Sequence, residues 1–163
     1  MFRRSSGRST RSTLSTSSSI TPGVAIYNDN LNNLDVIEQH LAVNFLGVLK
    51  VTHAFLPLLR RSKGAIVANL SLAALAAVPV FSAYAISKAA AFNMMQSLRA
   101  LLAGQGVKVN AVLLGPIDTD MPRGLEIPKT SPESAAVGIF VGLEKGEEEF
   151  FPTPYPNLSP RTG

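Results

Sequence analysis

The chain has 163 residues, enough for one domain, and its 46% hydrophobic content supports a packed core rather than a disordered polymer. Cysteine is absent, which excludes a disulfide framework, a thiol nucleophile and a cysteine-based zinc site. The net charge of +4 lies on Arg3, Arg4, Arg8 and Arg11; the remaining 11 basic side chains match the 11 acidic ones, so no basic stripe is left to track a nucleic acid.

Residues 1–22 are rich in Ser, Thr and Arg and free of acidic side chains, a composition that predicts a disordered tail. Such a tail also suits organelle transit. Phe2, Leu14 and Ile20 are too sparse for an amphipathic helix, however, so a cytoplasmic location is expected. The folded domain is expected over 23–152, with a Pro-rich tail over 153–163. Val24-Ala25-Ile26-Tyr27 is a short apolar run able to form the first strand. From Leu34 the apolar positions Ile37, Leu41, Phe45, Val48, Phe55 and Leu59 step at helical spacing and predict one long helix to Arg61, with Pro57 kinking its last turn.

Ala65 to Leu70 reads as a buried strand entered through Gly64, and 82–103 as a helix apolar on several faces that stops at Gly104 and Gly106. Although Gly64 to Ser87 holds 24 uncharged residues, Asn69, Ser71, Pro79, Ser82 and Tyr84 interrupt it. A strand and a helix joined by a loop explain that run better than a membrane span. Val107 to Leu114 predicts a strand, Pro132 to Lys145 a helix and Glu149 to Phe151 a last short strand. The alternation points to an α/β fold with a parallel sheet. Gly138, Gly142 and Gly146 read as a small-residue packing face, and Glu147-Glu148-Glu149 as a solvated loop. His40 and His53, 13 apart on the long helix, read as surface or interface residues, and no carboxylate cluster completes a metal site.

The chemistry concentrates on Tyr84 and Lys88. Four-residue spacing puts a phenol and an ammonium on one helix face, and a nearby cation favours the phenolate. Ser71, 13 residues before Tyr84, ends the predicted strand, where α/β folds place their ligand crevice. Asn44 stands upstream in Ala42-Val43-Asn44-Phe45-Leu46-Gly47. Downstream, Gly115-Pro116-Ile117-Asp118-Thr119-Asp120-Met121 follows the next strand, with Asp118 and Asp120 read as capping the segment after it.

These four stations, in this order, resemble the short-chain dehydrogenase/reductase family across most of residues 34–146. The resemblance implies a catalytic tetrad of Asn44, Ser71, Tyr84 and Lys88. In it Tyr84 exchanges a proton with the substrate oxygen and Lys88 lowers its pKa while holding the nicotinamide ribose. Ser71 orients the substrate oxygen and Asn44 holds a relay water. It further implies cofactor contacts from Tyr84, Lys88, Gly115, Ile117 and Thr119, NAD or NADP as cofactor, and a small alcohol or carbonyl substrate. A homo-oligomer through helices 34–61 and 83–103 is also implied. One departure is informative: the family's opening strand and Thr-Gly-x-x-x-Gly-x-Gly phosphate loop are absent from the sequence. The expected fold is therefore a partial Rossmann-like, doubly wound parallel sheet lacking its first βαβαβ half. Only nicotinamide-side contacts remain, so the chain is expected to be a weak or inactive oxidoreductase. The alternative reading is a catalytically dead fragment that serves as a helix-mediated dimerisation module.

Overall fold

A computed structural model describes residues 17–21, 23–27, 31–76, 78, 80–122 and 126–153. Four parallel strands form one sheet whose spatial order follows the chain: β1 (Ser17–Ile20), β2 (Ala65–Ser71), β3 (Lys108–Leu114) and β4 (Glu149–Phe150). Between β1 and β2 runs a continuous helical rod made of α1 (Leu34–His40), a π-helical stretch (Leu41–Gly47) and α2 (Val48–Ser62). Among the described residues the other α-helices are α3 (Ser82–Leu102) and α4 (Pro132–Glu144).

Alternation along the strands sorts the core into two layers. Ile66, Ala68 and Leu70 of β2 and Val109, Ala111 and Leu113 of β3 pack against α2 and α3, where Leu59, Ala91, Met95 and Leu102 are buried. Val67 and Val112 face the other way, onto Phe150, Ile139 and Leu143 from β4 and α4. Helices on both faces of a parallel sheet give the expected doubly wound α/β architecture.

The amino-terminal boundary departs from expectation. Ser17–Ile20 lies inside the stretch predicted as disordered, yet pairs in parallel with Ala65–Ala68 of β2 and buries Ile20. Serine is a poor strand former, and the sheet edge and core contact override that preference. Residues 24–27 are not a strand, because their backbone bonds to side chains instead: Val24 to Asn44 and Ile26 to His40. Residues 1–16 of the predicted tail and 154–163 of the carboxyl-terminal one lie outside the described residues. Thr153, assigned to the latter, is buried and accepts a hydrogen bond from Gly115 N at 3.1 Å, so it belongs to the domain.

Further corrections concern polar residues. Glu149 starts β4, as the expected last strand has it and against its reading as solvated loop, and the Arg99 guanidinium ties that strand down through Glu149 Oε1 (2.6 Å), Glu148 O (3.0 Å) and Val109 O (3.0 Å). Ser131, not Asp118 or Asp120, caps α4, its Oγ accepting from Ser134 N at 3.2 Å. Gly138 and Gly142 do form a packing face, since an added Cβ would meet Pro152 O and the Phe150 ring respectively. Gly146 instead turns the chain after α4 with φ +72° and open space around it. The Gly64–Ser87 run resolves into β2, a 3-10 turn (Leu72–Ala74) and the start of α3. Among the described residues, Leu34–Ser62 is the one helix long and apolar enough to cross a bilayer by length and composition alone, with 17% of its apolar window buried.

Candidate active site

The site forms where β2, α3 and the helical rod converge. β2 ends at Ser71, whose Oγ accepts from Ala73 N at 3.2 Å and so starts the turn carrying the chain away from the sheet. α3 then begins at Ser82 and delivers Tyr84 in its first turn, where the Ser71 hydroxyl and the Tyr84 phenol are hydrogen-bonded to each other. Lys88 follows one turn later. It is only 4% exposed, and its Nζ stands 5.6 Å from the centroid of the Tyr84 ring.

The electrostatics differ from the expected arrangement. Burial raises the Tyr84 phenol above its ordinary value, the Ser71 hydrogen bond opposes that rise, and nearby Tyr27 adds to it. Lys88 faces the ring and is itself pushed down to about 8 by burial, so the expected lowering of Tyr84 by Lys88 is not what dominates in this chain.

Asn44 sits fully buried in the π-helical stretch, whose wider turn is a recurrent device at functional sites. Its Oδ1 accepts from Val24 N and its Nδ2 donates to Val24 O, both at 2.9 Å, while Nδ2 also donates to Ser87 Oγ at 2.9 Å. Both amide hydrogens are thereby committed to protein partners. Asn44 clamps the 23–27 segment to α3 rather than offering those hydrogens to a relay water.

The loop after β3 carries the other expected residues. Gly115 packs on Thr153, where a Cβ would come to 3.0 Å of Oγ1. Ile117 bridges to Thr130, and Asp118 N and Thr130 N zip the loop closed by donating to Thr130 O and Pro116 O, both at 2.9 Å. Thr119 is exposed, its hydroxyl donating to Ile117 O at 3.4 Å within its own loop. Ser71, Tyr84 and Lys88 thus come together directly, Asn44 joins them through Ser87, and the Thr119 hydroxyl bonds within its own loop.

Several participants escaped the sequence reading. Ser87, fully buried, accepts from Asn44 and donates to Tyr84 O at 2.7 Å, bridging the rod to the turn between Tyr84 and Lys88. His40, expected at the surface or an interface, is fully buried inside the domain: Nε2 accepts from Ile26 N at 3.1 Å, so Nδ1 carries the proton and donates to Val36 O at 2.7 Å. The four-residue spacing of His40 and Asn44 on one helix face was the available signal. Tyr27 was a further omission; its hydroxyl donates to the Met121 carbonyl, and its ring stands 4.7 Å from that of Phe81. Gly23 adds a cradle over Lys88, since a Cβ there would lie 3.9 Å from Nζ and 3.4 Å from the Met121 methyl.

Comparison with known proteins identifies the family. The family model described as short chain dehydrogenase matches residues 21–129. The 11-beta-hydroxysteroid dehydrogenase-like 3 of Arabidopsis thaliana is 38% identical over 113 residues, covering 64% of this chain and 36% of that protein. Estradiol 17-beta-dehydrogenase 2 of Rattus norvegicus is 40% identical over 88 residues, 54% of this chain and 23% of its own length. A crystal structure of a short chain dehydrogenase from Burkholderia cenocepacia in complex with NADP superposes with a TM-score of 0.76 at 32% identity, covering 83% of this chain and 61% of that one. The chain spans about a third or less of these curated relatives' length. With the match over 21–129 and the Ser71, Tyr84 and Lys88 geometry agreeing, the chain belongs to the short-chain dehydrogenase family.

Proposed function

We propose that this chain carries the proton-transfer site of an NAD- or NADP-dependent oxidoreductase that interconverts an alcohol with a ketone or aldehyde. The observation that carries this reading is the hydrogen-bonded Ser71–Tyr84 pair with the buried Lys88 ammonium over the Tyr84 ring. The residue types fit the nicotinamide-ribose half of a dinucleotide: Lys88 supplies ammonium donors for ribose hydroxyls, with Gly23 packed over its Nζ. Lys88 would hold the ribose, and the loop at Gly115, Ile117 and Thr119 would flank the nicotinamide. A bound nicotinamide dinucleotide supplies or accepts the hydride.

Burial keeps the Tyr84 phenol protonated at neutral pH, which suits proton donation to a substrate carbonyl. Ser71 orients the same oxygen and then stabilises the phenolate, helped by the Lys88 charge across the ring. Asn44 and Ser87 act as positioning residues, fixing α3 against the rod.

The sequence supplies no glycine-rich loop for a pyrophosphate, so dinucleotide affinity in this chain is expected at about millimolar or weaker. Calorimetric titration with NADH and NADPH tests the reading. Weak binding that is lost in Lys88→Ala supports it; binding indifferent to Lys88→Ala refutes it, and micromolar binding refutes the expected weakness alone.

A second reading, association of two copies through the helical rod and α3, is favoured by the outward apolar stripe of Val43, Leu46, Val51, Phe55 and Leu58. Sedimentation should reveal a dimer at micromolar concentration; a stable monomer refutes it.

A further inference from the structure

Beside Tyr84 the structure holds two more aromatic rings in a row. Tyr27 and Phe81 are tilted by 57° at 4.7 Å, and Phe81 meets Tyr84 at 6.2 Å with 60° between planes. Both Tyr27 and Phe81 are half-buried. Phe81 occupies the position preceding α3, where Ala85 N donates to its carbonyl at 2.8 Å, so the helix start fixes its backbone. Tyr27 is staked by three successive anchors: Val24 on Asn44, Ile26 on His40, and its own hydroxyl on the Met121 carbonyl. That last bond commits the Tyr27 hydroxyl hydrogen, so Tyr27 has no donor to offer a ligand and presents chiefly its ring.

We propose that Tyr27 determines specificity at this site: with Phe81 it forms an aromatic wall that favours a substrate bearing a flat ring beside its carbonyl or carbinol carbon over a linear one. The proposal deepens the oxidoreductase reading and rests on it for the identity of the reacting group. Tilted and edge-on ring pairs are the arrangement that aromatic quadrupoles prefer, so a ring placed against Tyr27 extends an existing stack, whereas an alkyl chain gains only apolar contact. A wall held before the ligand arrives loses little freedom on binding.

The test is a ligand-observed NMR titration of the full chain with acetophenone and with 2-octanone, ketones equal in carbon count. Acetophenone should bind about fivefold tighter, although 2-octanone is the more apolar. Tyr27→Phe should keep that preference and Tyr27→Leu should erase it, with unchanged far-ultraviolet circular dichroism. Equal affinities in the unaltered protein overturn the proposal without any variant, and so does a preference that survives Tyr27→Leu. NADPH titration of the same samples separates the two readings. Nucleotide binding without ketone discrimination sinks this proposal and leaves the oxidoreductase standing; discrimination without nucleotide binding does the reverse.

Discussion

Lys88 should make the stability of this protein rise with pH. Burial lowers its folded value from 10.5 to about 8, so between those values the unfolded chain holds a proton that the folded chain has released. Unfolding then takes up protons, and the free energy of unfolding increases as pH rises through that window. A shift of this size corresponds to about 3 kcal/mol at its limit, with about 2 kcal/mol accessible between about pH 7.5 and about pH 10. Tyr84 acts with the opposite sign. Its folded value is raised above 10.0, so the folded state retains a proton that the unfolded state loses, and stability falls again above pH 10. Urea unfolding at a series of pH values should therefore give a curve that climbs from neutrality and turns over near 10. Lys88→Met, which keeps the stem and removes the charge, should be more stable than the parent at neutral pH by about 2 kcal/mol and should lose the climb. A flat profile in the parent, or the same climb in Lys88→Met, would refute the reasoning.

Three further outcomes follow from the packing. Asn44→Ala removes one buried and two partly buried hydrogen bonds and strands the Val24 backbone, and urea unfolding should show a loss of about 3 kcal/mol. Gly142→Ala drives a methyl into the Phe150 ring and should cost about 2 kcal/mol in thermal unfolding, while Gly146→Ala, with free space but φ +72°, should cost about 1 kcal/mol through the backbone alone. Arg99→Leu unties β4, so exchange of the Ala111 amide, which bonds Glu148 O at 2.8 Å, should quicken by about tenfold with exchange in the middle of β2 unchanged.

The fold was largely legible because its elements carry periodic signals. α3 buries Lys88, Ala91, Met95, Leu98 and Leu102 at alternating steps of three and four, and β2 and β3 are unbroken apolar runs fit for a sheet covered on both faces. β1 was missed because its residues, Ser17-Ser18-Ser19-Ile20, carry no strand signal; the edge of β2 recruits them. The apolar 24–27 run looked more like a strand, and it is the buried polar side chains of His40 and Asn44 that take its backbone groups instead.

At the site, spacing put Tyr84 and Lys88 on one helix face, whereas the grouping of Ser71 with them was implied by the family resemblance. The electrostatic balance was not legible, because desolvation depends on what the rest of the fold lays over Lys88, and a spacing of four residues says nothing about that. Ser87 hid inside the very motif that was read, between two louder residues.

The placement of the tyrosines has a spectroscopic consequence. The chain contains three of them and no tryptophan, and two of the three, Tyr27 and Tyr84, flank Phe81 in the aromatic row. The unlabelled protein's ultraviolet emission is therefore weighted toward the very region where ligands are expected. With Tyr155→Phe, all tyrosine emission would come from that row, giving an optical reporter of occupancy that needs no dye and no added residue.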